Sequence, residues 1–301
     1  MSRLRGMLMS RNLAGRIVFT GMYNRLTSMD VRARQIAEPL DAVYVRGRYL
    51  DPSRAWAARC VIWVAVADIE RVRAIGKKTR QIFDVINPSV EKGAPYFDLL
   101  DEFDTLIFNT RSTLNHLRPR SSGEWRSAVI PHHHCNHWGF ELPEERLSRP
   151  RVAGYVGEAG HLHDADRIAS AVRGLGLEFL MADSHDLAAY KRIDIGLAWT
   201  RPEPLRDDTR SNIKLTNFCS FGIPSVVCDY ESYRDVDSAL GGGACRIAAT
   251  FEDFLGGLEE IVRDEELRRT MHMRSLPARD IYSVEAIAKE YLNLVEAIEG
   301  S

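Results

Sequence analysis

The chain has 301 residues, of which 45% are hydrophobic and 27% charged, with a formal net charge of −2. This is the composition of a globular protein with room for two domains, each holding its own core. It excludes a strongly basic nucleic-acid binder, and no apolar run reaches the roughly 18–20 residues that span a bilayer.

The first sixteen residues, MSRLRGMLMSRNLAGR, are basic and mildly amphipathic. They are read as a lead-in to the first strand, with peripheral contact to an anionic membrane surface as the alternative. Alternating strands and helices follow. Arg16–Thr20 reads as a buried strand running into Gly21, and Val31–Leu40 as a helix with Ser28 and Asp30 as candidate caps. Ala42–Val45 and Val61–Ala67 are strands, the second continuously apolar as buried parallel strands are. Ile69–Lys78 is helical, Gln81–Ile86 a strand, Pro95–Glu102 a short helix, and Thr105–Asn109 and Ala128–Pro131 two further strands. Glu141–Pro150 (ELPEERLSRP) is polar, charged and bounded by proline, and reads as a linker.

After it the pattern restarts: strand Arg151–Val156, helix Asp164–Leu175, strand Glu178–Met181, helix His185–Arg192, strand Ile195–Trp199 and the polar loop Thr200–Ser211. A short helix from Asn212, strands Ser225–Cys228 and Cys245–Ala248, and helices Phe251–Arg263 and Val284–Ile298 complete the chain. Two such runs imply two doubly wound α/β domains, Rossmann-like, with ligands at the carboxyl edges of the strands and a cleft between them. The expected division is 1–140, a linker at 141–150, 151–275, and a tail 276–301 returning to the first domain. The five cysteines are odd in number and scattered, with no C-x-x-C, which places the chain in a reducing compartment, the cytoplasm.

The segment SNIKLTNFCSFGIPSVV, residues 211–227, carries the most chemistry. A polar loop ends in Asn212, a helix begins, and Gly222-Ile223-Pro224 stops it before a buried strand. The free N–H groups and positive dipole end of such a helix suit an anion, and Lys214 in its first turn adds a cation. Gly154–Gly160 (GYVGEAG) ends the first strand of the second half and is a candidate diphosphate loop, with Gly157, Glu158 and His161 as contacts. Arg201, Arg206 and Arg210 precede the helix, and beside Asp207 and Asp208 they read as a solvated loop, with Arg201 kept as a donor contact.

His132-His133-His134-Cys135-Asn136-His137 invites a metal, but alternation along an extended segment sends the rings to opposite sides. The run is instead assigned to a substrate edge. His132 or His133 is a candidate base and His134 an acceptor contact, since imidazole titrates near neutrality. Gly21 and Tyr23 are candidate donor contacts at the end of the first strand, and Arg32 a candidate for an anionic acceptor.

These residues resemble the GT-B glycosyltransferases, and in particular family 4, glycosyltransferase group 1. The similarity is carried by Lys214-Leu215 with Phe221-Gly222-Ile223-Pro224-Ser225-Val226-Val227, and by Asp186-Leu187-Ala188-Ala189-Tyr190 with Asp194-Ile195-Gly196-Leu197. Looser matches are Arg32–Ala37, Asp104–Thr110, Val129-Ile130-Pro131 and Tyr282–Leu292. The resemblance implies a retaining, metal-independent transfer of sugar from a nucleotide-diphosphate donor to a hydroxyl of a glycan, lipid-linked or small-molecule acceptor, with no cofactor. The donor would lie on Ser211, Asn212, Ile213, Lys214, Leu215 and Asn217. Two glutamates of the family are replaced here by Thr209 and Asn217, and Asn217 is assigned to the ribose hydroxyls. A non-catalytic nucleotide- or glycan-binding relative, or a partner subunit, is the alternative. An NAD-dependent oxidoreductase is disfavoured, because neither first strand is followed by G-x-G-x-x-G.

Overall fold

The computed structural model describes residues 12–21, 30–86, 88, 98–120, 125–201 and 210–300. The chain forms two compact units, one of Met1–His132 with Val284–Ser301 and one of His133–Ser283. The division falls at His132/His133, ahead of the expected linker. Residues 141–150 lie inside the second unit, where Glu144–Ser148 forms a short helix.

In the first unit β1 (Ile17–Gly21), β2 (Val43–Arg46), β3 (Cys60–Val64), β4 (Arg80–Val85), β5 (Thr105–Phe108) and β6 (Arg126–Val129) form a parallel sheet in the order β2-β1-β3-β4-β5-β6. β1 and β3 are buried at every position, as central parallel strands with both faces covered must be. Val18, Val61, Trp63, Phe83, Leu106 and Phe108 belong to one core cluster with Trp125 and Leu117. Helices α1 (Ile69–Ile75) and α2 (Arg111–Leu117) follow β3 and β5, each capped by a side chain, Asp68 and Thr110. Where a helix over Val31–Leu40 was expected, a π-turn at Asp30–Arg34 leads into a single turn at Gln35–Ala37. The expected caps Ser28 and Asp30 and the helix start at Pro95 lie outside the described side chains. The Val284–Glu299 helix packs on this unit. Tyr291 meets Phe19 edge-on at 5.6 Å, and Arg59 grips Glu299 through two hydrogen bonds of 2.7 and 2.6 Å.

In the second unit β7 (Val152–Val156), β8 (Glu178–Ala182), β9 (Ile195–Ala198), β10 (Ser225–Cys228) and β11 (Arg246–Ala248) are again parallel, in the order β11-β10-β9-β7-β8. Helices α3 (Ala165–Gly174), α4 (Ile213–Ser220), α5 (Glu231–Ala239), α6 (Phe251–Arg263) and α7 (Glu265–Ser275) accompany them. Thr250 and Asp253 close a capping box at the start of α6. The expected helix over His185–Arg192 is a 3-10 segment at Leu187–Arg192. Chain order reverses between β1 and β3 in one sheet and between β7 and β9 in the other, and such switch points open a crevice at the carboxyl edge. All five cysteines are buried free thiols, with burial pushing Cys60 and Cys135 up to about 12. Among the described residues no helix is long and apolar enough to cross a membrane.

Candidate anion site

The switch point of the second sheet is built around α4. The helix ends in a Schellman motif. Gly222 N–H donates to the Cys219 carbonyl at 2.9 Å, and Ile223 N–H to the Phe218 carbonyl at 2.9 Å, with Gly222 in the left-handed region at φ +70°. Pro224 then releases the chain into β10. At the other end Asn212 stands before the helix and its side chain makes no capping hydrogen bond. The first-turn N–H groups therefore face the site with the positive end of the helix dipole.

Lys214, in that first turn, reaches back to the end of β7. Its ammonium lies 5.0 Å from the centroid of the Tyr155 ring. Gly157 caps β7, with its N–H donating to the Ala182 carbonyl at 2.9 Å. A Cβ at Gly157 would sit 2.6 Å from the Tyr155 hydroxyl and 3.0 Å from Lys214 Nζ, so only glycine lets the lysine lie against the strand end. Burial, followed by the positive charge of Arg210, pushes the Lys214 ammonium down to about 8. Arg210 acts on Tyr155, Tyr230 and Lys214 together, which places it on the same carboxyl edge. Its Nε is buried and has no hydrogen-bond partner among the described residues. Two cations and a helix N-terminus thus converge, and no carboxylate among the described residues forms an ion pair with Lys214. Glu158, whose negative charge acts weakly on Lys214, is 70% exposed and lies 3.7 Å from His161.

Other expected donor contacts are engaged elsewhere. Arg201 closes its guanidinium on Asp164, with Nη2 donating at 2.7 Å and Nε at 3.1 Å, while its backbone N–H donates to His163 Nδ1 at 2.8 Å. Trp199 Nε1 adds a third hydrogen bond to Asp164, and these contacts hold that carboxyl at about 2. Leu215 is fully buried in the core, and Ile213 and Ser211 are half-buried. Asn217 is 5% exposed and both ends of its amide are used: Oδ1 accepts from Cys135 N–H at 2.9 Å and Nδ2 donates to the Tyr190 hydroxyl at 3.1 Å. It is a weld between α4 and residues 133–137, which corrects its assignment to a ribose.

The histidine run is buried as well. His132, His133 and His134 are 3%, 2% and 7% exposed. His133 Nδ1 bonds to the His134 carbonyl at 2.8 Å. His134 accepts a hydrogen bond from Asn136 N–H on Nδ1 at 3.1 Å, donates from Nε2 to the Arg279 carbonyl at 2.9 Å, and donates its backbone N–H to the Tyr282 carbonyl at 2.9 Å. Asn136 bonds in turn to the Phe140 and Ser220 carbonyls at 2.8 and 2.7 Å. These bonds fix residues 133–136 within the second unit. No group of three metal-ligating side chains occurs among the described residues.

In the first unit Arg32 is 1% exposed and commits four of its five N–H groups. Nε and Nη2 fork onto Asp84, each at 2.9 Å, and Nη1 donates to the Ile130 and Pro131 carbonyls at 2.8 and 3.0 Å. The Tyr291 hydroxyl donates to Asp84 at 2.5 Å. Arg32 is therefore a structural clamp and not an acceptor contact. Gly21 closes β1, with every position of that strand buried. Thr20 Oγ1 and Asn109 Nδ2, at the ends of β1 and β5, are buried with no hydrogen-bond partner among the described residues. Tyr23, Arg206 and Thr209 lie outside the described residues. Tyr155 was missed by sequence reasoning, although its place two residues before Gly157 marked it, and Arg210 was assigned to a solvated loop.

No protein-family model and no curated protein matches the chain, and its likeness to known proteins is structural. Anabaena HepE, solved with UDP and glucose, is 10% identical, with a TM-score of 0.62 over 94% of this chain and 100% of that one. WaaG, a glycosyltransferase involved in lipopolysaccharide biosynthesis, is 11% identical, with a TM-score of 0.59 over 93% of this chain and 99% of that one. The pneumococcal O-GlcNAc transferase GtfA, solved with UDP and GlcNAc, is 13% identical, with a TM-score of 0.56 over 80% of this chain. The chain spans 57% of GtfA's length. The likeness assigns the fold, that of the GT-B proteins with two Rossmann-like domains.

Proposed function

We propose that the protein is a glycosyltransferase that moves a sugar from a nucleotide-diphosphate donor to an acceptor hydroxyl. The observation that carries the reading is Lys214: a half-buried lysine at a switch-point carboxyl edge, beside Arg210 and a helix N-terminus, with no ion-paired carboxylate among the described residues. Such a site stabilises negative charge, and charge developing on a leaving diphosphate is where stabilisation counts most in catalysis. The UDP bound in HepE and GtfA supports a nucleotide donor here. In this reading the donor diphosphate lies on Gly157, Arg210, the first turn of α4 and Lys214, within residues 151–275. The acceptor is assigned to the first unit, where Thr20 and Asn109 hold buried polar atoms at the strand ends. Lys214 and Arg210 supply the positive charge a metal ion brings to other diphosphate sites, which supports metal-independent transfer. A retaining outcome is proposed on the resemblance of residues 187–229 alone.

A second reading, a nucleotide- or glycan-binding relative without activity, is favoured by one observation. The Asn217 amide stands where the family carries a glutamate, and its two ends are used in holding Cys135 and Tyr190. A thermal-shift series with UDP, GDP, ADP, CMP and dTDP, with and without Mg²⁺, tests the site, since a ligand of the folded state alone raises Tm. One nucleotide is expected to raise Tm without Mg²⁺, and Lys214→Ala to abolish the shift. No shift with any nucleotide overturns the donor site. A shift without hydrolysis of the matching nucleotide sugar selects the second reading.

A further inference from the structure

The two sheets end in four edge strands, β2 and β6 in the first unit and β11 and β8 in the second. An edge offers unpaired N–H and C=O groups to any second chain, and a charged side chain on the strand is a common guard against such pairing. β2 carries Arg46, β6 Arg126 and β11 Arg246. β8 (EFLMA) has its one charge, Glu178, at its first position. Phe179 and Leu180 then follow half-buried, and Met181 is 46% exposed. The strand order, 2-1-3-4-5 counted within this sheet, keeps β8 on the outside.

The direction of the backbone groups along β8 follows from its pairing with β7. Glu178 N–H donates to the Arg151 carbonyl at 2.8 Å, and the Ala182 carbonyl accepts from Gly157 N–H at 2.9 Å. With Val152 beside Glu178, Gly154 beside Leu180 and Val156 beside Ala182, residues 178, 180 and 182 spend their backbone groups on β7. The alternate residues turn the other way, so Phe179 and Met181 each aim an N–H and a C=O at the open edge. None of these four groups meets a partner among the described residues.

We propose that β8 pairs antiparallel with β8 of a second copy of this chain, about a two-fold axis at Leu180. In that register Phe179 stands opposite the copy's Met181, and Met181 opposite the copy's Phe179. Each of these pairs exchanges two hydrogen bonds, so all four open groups are satisfied together. Leu180 meets the copy's Leu180 in the non-hydrogen-bonded position, where Cα atoms approach to about 4.5 Å. Phe179 and Met181 project to one face and form apolar cross-strand pairs there. On the other face Glu178 lies opposite the copy's Ala182, so no like charges oppose each other. Charge and symmetry select a second β8 as the occupant. Any of the other three edges would bring an arginine to this apolar strand, and such a heterologous contact need not close. Five residues of strand bury well under the roughly 1,600 Å² of a standard interface, so a weak dimer is expected, with a Kd on the order of 10–100 µM. Antiparallel pairing turns the carboxyl edges of the two sheets to opposite ends, and the proposal does not depend on the nucleotide site.

The test is sedimentation velocity on the full chain, natural and Met181→Lys, from about 1 µM to about 1 mM. The natural protein is expected to rise in mass with concentration toward twice that of the chain. Met181→Lys, a guard placed on an exposed position, is expected to stay monomeric throughout with an unchanged Tm. The register is read by mild oxidation of Leu180→Cys and Met181→Cys, against native cysteines that are all buried free thiols. Leu180→Cys is expected to form a covalent dimer, since its Cα separation suits a disulfide, and Met181→Cys, which faces Phe179, to form none. A natural protein that stays monomeric at about 1 mM overturns the proposal. So does a dimer that Met181→Lys leaves intact, or a crosslink through Met181→Cys in place of Leu180→Cys. If Leu180→Cys does not fold, the sedimentation comparison decides alone.

Discussion

Each unit draws a cationic side chain in from the surface, Arg32 fully and Lys214 by half, and the two are treated in opposite ways. In the first unit Arg32 is matched: a bidentate carboxylate, two backbone carbonyls and a tyrosine hydroxyl on the shared Asp84 leave little charge unanswered. In the second unit no carboxylate among the described residues forms an ion pair with Lys214, the positive charge of Arg210 acts on it more strongly than the negative charge of Glu158, and Arg210 keeps a buried N–H without a described partner. Matched buried charge specifies how elements join, since four segments far apart in the chain must arrive together to satisfy Asp84 and Arg32. Unmatched buried charge costs stability and persists where a ligand supplies the missing half. A cation's burial is therefore not the mark of a site; the absence of its counter-charge is.

The contrast is broken most directly at Asp84. Asp84→Ala strands a buried guanidinium and is expected to cost about 3–5 kcal/mol, read by urea denaturation. The opposite outcome is expected at Lys214. Lys214→Met replaces a poorly solvated ammonium and should leave the protein as stable at pH 7 or more stable by up to about 3 kcal/mol, while nucleotide binding is lost. The sign of the pH dependence follows from a lysine held at about 8 in the folded chain and higher when unfolded. The unfolded state then binds more protons from pH 8 upward, so the natural protein gains stability relative to Lys214→Met as the pH rises to 10. A gap between the two that does not narrow over that range removes the claim that Lys214 is unmatched.

Tyr291→Phe deletes one hydrogen bond to Asp84 but leaves the fork, and a loss of about 1–2 kcal/mol is expected in the same denaturation experiment. A loss as large as that of Asp84→Ala would place the tyrosine, not the arginine, at the centre of the clamp. The smallest effect is expected at Arg201, whose guanidinium is largely exposed against Asp164. Arg201→Ala should change stability by less than about 1 kcal/mol and leave nucleotide affinity unchanged in the thermal-shift titration. A tenfold weaker affinity would return Arg201 to the donor site.

The strands were legible because burial on both faces writes itself as uninterrupted apolar runs, as in Cys60–Val64 and Ser225–Cys228. So was α4, since a polar start, a Gly222 stop and a proline are local signals read within one turn. Lys214 could be placed at the site from its position in that turn alone. Other elements carried weaker signals. Glu144–Ser148 looked like a linker because its two glutamates suit a helix start as well as a loop, and burial of Leu147 decided for the helix. Leu187–Arg192 tightened to a 3-10 segment, with Tyr190 stacked against Phe221 at 5.2 Å.

The sequence by itself determined two parallel α/β units, their carboxyl edges, and one helix start bearing a lysine, because periodicity, capping and turn chemistry act over a few residues. It could not determine which polar side chains face a ligand. Arg32 finds its carboxylate 52 residues away, and Asn217 finds Cys135 82 residues away. His134 is fixed by a carbonyl 145 residues further on. In each case the residue type suited a substrate as well as it suited a buried partner. Only the tertiary structure, by supplying that partner or withholding it, made Arg32, Asn217 and the histidines architecture and left Lys214 with a charge to be answered.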